Sequence, residues 1–75
     1  MKYVVIVKPK KGILDPQGKA IKKVSENYTG KKIEDIRVGK YFEITLSEPD
    51  DELIETVVKN ILSNEVIEDY EVIKQ

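Results

Sequence analysis

The stretch Ile36-Arg37-Val38-Gly39-Lys40-Tyr41-Phe42-Glu43-Ile44-Thr45-Leu46 decides the fold. Its apolar residues Ile36, Val38, Phe42, Ile44 and Leu46 hold one even phase, interrupted only at Lys40, while Arg37, Gly39, Tyr41, Glu43 and Thr45 take the odd positions. Alternation with period two marks a strand with one buried face. A hairpin turning at Gly39-Lys40 would also fit, but a phase that continues through the interruption favours one long strand, bent or bulged there. At more than about 3 Å per residue, such a strand outruns a five- or six-residue neighbour and leaves unpaired backbone for another subunit.

Working outward, Tyr3-Val4-Val5-Ile6-Val7 is β-branched or aromatic on both alternating faces, which predicts an interior strand covered on each side. Pro9-Lys10-Lys11-Gly12 breaks it. Asp15-Pro16 then starts a helix, since Asp caps exposed amides and Pro fits the first turn, and Gly30 ends it. Gln17, Ala20, Ile21, Val24 and Tyr28 recur at helical spacing, a narrow stripe predicting close approach to the sheet. Pro49-Asp50-Asp51-Glu52 opens a second helix with carboxylates at its positive end, and Leu53, Ile54, Val57, Val58, Ile61 and Leu62 give it a wide apolar stripe. Ser63-Asn64 ends that helix, and Val66 to Ile73 reads as a last, solvated edge strand.

The order strand, helix, long bent strand, helix, strand predicts an α+β two-layer sandwich of ferredoxin-like kind, an antiparallel sheet with both helices on one face. The opposite face, carrying either Val4 and Ile6 or Tyr3, Val5 and Val7, is then left apolar, which predicts an obligate dimer or larger oligomer. Size points the same way. A chain of 75 residues forms one domain, 1–75, whose core rarely supplies more than about 3–5 kcal/mol. Cys is absent, so no disulfide adds to that.

Composition narrows the function. The absence of His and Cys removes the usual base near neutral pH, the thiolate nucleophile and most zinc sites, which disfavours a stand-alone enzyme. The amino-terminal apolar run is too short for a signal-peptide core or a membrane span, and a cytoplasmic protein is expected. Residues 1–40 hold 11 basic and 4 acidic side chains, net 11 − 4 = +7, whereas residues 41–75 hold 2 and 10, net 2 − 10 = −8. That asymmetry suits an anion-binding basic face or complementary contacts between subunits. An overall charge of −1 argues against nucleic-acid binding.

Four clusters invite a chemical reading. Gly12 to Gly18 sets glycine, lysines and a helix start together like a phosphate loop, but it lacks the phosphate-loop spacings and Asp15 would compete with an anion, so a structural turn and cap is preferred. Arg37, Gly39, Lys40 and Tyr41 put two cations beside a backbone kink and an aromatic ring, which suits an acidic partner or a phosphate; the plain alternative is that Arg37, Tyr41 and Glu43 pair across an outward strand face. Asp50-Asp51-Glu52 could be a divalent-ion site, but serves a helix start as ordinary dipole complement. Lys19, Lys22 and Lys23 fit a solvated helix face, with no aromatic interleaving.

Two of these segments, Leu14-Asp15-Pro16-Gln17-Gly18-Lys19-Ala20 and Arg37-Val38-Gly39-Lys40-Tyr41-Phe42-Glu43-Ile44, in this order and spacing, resemble the PurS family, small subunits of phosphoribosylformylglycinamidine synthase. The resemblance covers nearly the whole chain. It implies a non-catalytic component of a purine-biosynthetic carbon–nitrogen ligase, bridging a glutaminase subunit and a large ATP-dependent synthase subunit and assisting ammonia transfer. It also implies no cofactor in this subunit, with ATP, magnesium and glutamine used by the partners, and a homodimer or dimer of dimers built on the long central strand. Asp15, Gln17, Arg37, Gly39, Lys40 and Tyr41 are then the expected interface residues. The competing class is a stand-alone anion- or nucleotide-binding module using Lys10, Lys11, Arg37 and Lys40.

Overall fold

A computed structural model describes residues 1–75. The elements run β1 (Lys2–Pro9), α1 (Pro16–Thr29), β2 (Lys40–Thr45), α2 (Asp51–Val57) and β3 (Glu68–Lys74). The fold is α+β, and the sheet is antiparallel and open, in the order β2-β1-β3. β1 is therefore the interior strand that its two-sided apolar pattern requires. Val5 sits opposite Phe42 on one side and Val72 on the other.

Alternation sends Tyr3, Val5 and Val7 to one face of β1, where they meet Ile54 and Val58 in the core. Phe42, Ile44 and Leu46 pack against that core from β2 and the residue after it, and Tyr70 and Val72 from β3. The apolar phase of residues 42–46 is thus a core phase. Two tyrosine hydroxyls tie α2 down as well: Tyr3 donates to Asp51 Oδ1 at 2.7 Å and accepts from the Asp50 amide at 3.0 Å, and Tyr70 donates to Glu55 Oε2 at 2.9 Å. Lys74 Nζ closes on the other Asp51 oxygen at 3.0 Å.

α2 continues into a π-helical turn over Val58–Leu62. Ile54 and Val58 are buried, the wider winding of the last turn carries Ile61 of the expected stripe out to solvent, and Leu53, in the regular turn before it, is exposed as well. The helix ends at Ser63, as its sequence predicts.

Two expectations need correction. The ladder of β2 begins only at Lys40, so residues 36–39 are neither a hairpin arm nor part of one long strand in this chain. They run instead past the start of α1, where the Val38 amide donates to Asp15 Oδ2 at 2.8 Å. Their alternation reflects two surroundings in succession: Ile36 and Val38 half-buried near α1, then Phe42 and Ile44 over the core. The second correction concerns α1, whose bounds and caps match the sequence but which does not cover the sheet. None of its residues belongs to the core and only Gly18 is buried, while Val24 is 68% and Tyr28 91% exposed. The layer over the sheet is α2 alone. The molecule is accordingly long and thin, 49 × 24 × 14 Å.

The face of the sheet away from α2 carries Val4, Ile6, Tyr41 and Ile73, as the strand registers dictate. It is less bare than the sequence suggests. Val4 is buried, and Lys2 and Glu43 pair beside it at 2.6 Å, leaving Tyr41 and Ile73 as the exposed large side chains on that face.

Candidate functional site

The segment 37–41 gathers the residues singled out by sequence. Asp15 caps α1, its Oδ1 accepting from the Gly18 amide at 2.9 Å, while Oδ2 takes the Val38 amide. These two amides, with Arg37 nearby, hold its carboxyl below the usual carboxylate range. Gly18 is required here, since a Cβ would strike the Ile36 carbonyl oxygen and the Asp15 carboxylate. Gly39 is equally constrained, because a Cβ would lie 2.6 Å from the Val7 carbonyl oxygen. The Leu14–Ala20 and Arg37–Ile44 motifs are therefore two halves of one joint that fixes the start of α1 against the entry to β2.

Among the concave surfaces around this joint are two that hold the expected residues between them. On one side, Gln17, Asp15, Gly39 and Lys40 line a shallow groove together with Ile67 and Glu68. On the other, Arg37, Gly39, Lys40 and Tyr41 line a recess of about 730 Å³ at the end of the open sheet face. All six expected interface residues thus border the same short segment. Arg37 Nη2 donates to the Lys10 carbonyl oxygen at 3.1 Å, which binds the Pro9–Gly12 turn to the recess wall. Lys40 Nζ pairs with Glu68 Oε2 at 3.5 Å, giving the residue that breaks the apolar phase a partner on β3, across the width of β1.

Sequence reasoning missed Lys8, Asp35 and Asp69, which also line the recess. Lys8 was within reach: it shares the parity of Ile6 on β1, and that parity fixes its face. Asp35 and Asp69 come from separate segments, so only tertiary structure reveals them. Lys10 turns away to Asp69, 3.9 Å distant, and is not among the lining residues.

The other clusters resolve structurally. Asp50 caps α2 by accepting from the Leu53 amide at 3.0 Å, and Asp51 is engaged by Tyr3 and Lys74, which lower its pKa. No group of three or more His, Cys, Asp or Glu side chains comes together with metal-binding geometry. The first turn of α1 presents its cap carboxylate where a phosphate would have to sit, as expected of a turn and cap.

The sequence model of the PurS family, described as phosphoribosylformylglycinamidine (FGAM) synthase, matches residues 2–75. The PurS subunit of that synthase from Bacillus subtilis is 39% identical over 72 residues, spanning 92% of this chain and 86% of that protein. The crystal structure of B. subtilis PurS superposes with a TM-score of 0.80, at 38% identity, over 99% of this chain and all of that one. PurS of Methanocaldococcus jannaschii superposes equally well, at 0.80 and 31% identity, over 96% of this chain and 92% of that one. A chain in the structure of PurLQS from Thermotoga maritima shares the fold, with a TM-score of 0.75 at 23% identity over 99% of this chain and 95% of that one. By sequence along almost its whole length and by fold, the chain belongs to the PurS family, subunits of phosphoribosylformylglycinamidine synthase in purine biosynthesis.

Proposed function

We propose that this subunit is non-catalytic and acts as a single 75-residue unit bridging a glutaminase subunit and an ATP-dependent synthase subunit, so that ammonia passes between them. The observation that carries the reading is α1: an amphipathic helix whose apolar stripe its own chain leaves exposed. A helix of 14 residues is marginal in water without tertiary packing, so such a surface is built for company. The absence of any nucleophile, base and orienting-group set supports a role in assembly rather than in either chemical step. ATP, magnesium and glutamine belong in this reading to the partner subunits, and this subunit needs no cofactor. A sealed junction is useful chemically because ammonia released into bulk water becomes ammonium and ceases to be a nucleophile.

A second copy is the first partner, in a homodimer or dimer of dimers. The free edge of β2 and the stripe Ile21, Val24 and Tyr28 are the surfaces available to it. The opposite charges of residues 1–40 and 41–75 favour such pairing. Asp15, Gln17, Arg37, Gly39, Lys40 and Tyr41 form the contact region for the other subunits, in the cytoplasm, where purine ribonucleotides are made. No helix is long and apolar enough to cross a membrane, and neither a membrane nor a nucleic acid is among the partners proposed.

Reconstitution tests this. Product formation from glutamine should fall when this subunit is omitted, with formation from free ammonia less affected. Arg37→Glu should weaken glutamine-dependent synthesis several-fold while lowering the thermal transition of the isolated subunit by only several degrees, the cost of one exposed bond to the Lys10 carbonyl. Unaltered glutamine-dependent synthesis in the subunit's absence would sink the bridging role.

A further inference from the structure

The recess beside Tyr41 has chemistry that subunit contact does not require. Strand alternation brings Ile6, Lys8 and Tyr41 to the open sheet face, and the Pro9–Gly12 turn closes the end of that face with Lys11. Lys8, Lys11 and Arg37 make no ion pair, whereas Lys40 is engaged by Glu68 and Asp69 by Lys10. Asp35 is the one remaining carboxylate on the lining. The unpaired charge is therefore 3 − 1 = +2. The Lys11, Gly12 and Gly39 amides at this rim also find no acceptor within the chain. Beside this cationic end lies an apolar wall, Ile6 and the Tyr41 ring, the latter 63% exposed.

A cationic end next to an exposed aromatic face suits a ligand that is anionic at one end and flat at the other. A phosphate monoester carries about −1.5 to −2 at pH 7, which matches the unpaired charge; a triphosphate would exceed it. A volume of about 730 Å³ lies in the range of small-molecule sites. We propose that this recess binds a nucleoside monophosphate, its phosphate held by Lys8, Lys11 and Arg37 and its base stacked on Tyr41. This site uses part of the region assigned above to partner contact but does not depend on that assignment, because Lys8 and Lys11 lie outside the contact set.

The test titrates the full chain with AMP, inorganic phosphate and adenosine, following backbone amide signals. AMP should give saturable shifts centred on Gly12, Gly39 and Tyr41 and bind more tightly than either fragment. Joint replacement Lys8→Gln and Lys11→Gln should weaken AMP at least about tenfold, the size of one good charge-assisted contact. Tyr41→Ala should weaken AMP while leaving inorganic phosphate unaffected. Both lysines are exposed, so an unchanged spectrum elsewhere verifies folding. Absence of saturable shifts, shifts centred elsewhere, or AMP binding indifferent to all three replacements overturns the proposal. Glutamine-dependent synthesis by the lysine variant, measured alongside, separates the two readings: AMP binding lost with synthesis intact supports a ligand site distinct from assembly, and synthesis lost with AMP binding intact overturns the assignment of these lysines to the ligand.

Discussion

Asp15 divides its two carboxylate oxygens between its own helix and a distant segment, one capping α1 at the Gly18 amide and the other holding the amide of Val38, 23 residues further along the chain. Both donors favour the ionised form, so its folded-state pKa lies below the unfolded value. The sign follows from linkage: the stabilisation is fully present above the unfolded pKa, near 4, and is lost as pH falls through the lowered folded value. Asp51, held down by Tyr3 and Lys74, acts in the same window and direction. Asp15→Asn should therefore lower stability at neutral pH and flatten its decline in acid, measured by thermal denaturation between about pH 5 and pH 2. An acid profile parallel to that of the unaltered protein would remove Asp15 from this role. At this scale the sequence was informative about the cap, because Asp-Pro at a helix start has a local meaning. The bond to Val38 was illegible, since nothing local links residues 15 and 38.

Among the elements, β1, α1 and the opening of α2 were legible because caps, prolines and β-branched runs are local signals. β2 was legible only from Lys40 onward. Alternation says which side chains share a face but not which surface meets that face, so Ile36 and Val38 against α1 continue the pattern of Phe42 and Ile44 against the core. The same limit applies to α2, where the π turn takes Ile61, at 75% exposure, out of the stripe that periodicity assigns to it. A paired measurement follows. Ile54→Ala, in the packed core, should cost about 2–5 kcal/mol in urea denaturation, and Ile61→Ala less than about 0.5 kcal/mol. Equal losses in the isolated chain would mean that Ile61 is buried and the helix regular.

For the whole molecule, the decisive feature is the division into a packed sheet with α2 and a projecting α1. The sequence pointed to the open sheet face as the apolar surface left over, whereas in the folded chain that face is partly self-covered around Val4 and the stripe of α1 is the barer of the two. Amphipathic spacing records that a face is to be buried and carries no label for the chain that buries it. Val24→Lys should therefore leave the core intact, with near-unchanged circular dichroism, while shifting sedimentation toward the 8.6 kDa monomer. A variant that keeps its assembly state would clear α1 of any part in self-association.

The exposed helix also bears on supply. Segments held by few contacts open most readily, and opened backbone is what proteases cut. If α1 is the surface that partners cover, as proposed above, a copy made in excess of its fellows offers it to such cleavage and one in company hides it. The same exposed helix would then also clear surplus copies, matching their abundance to that of the assembly without any dedicated regulator.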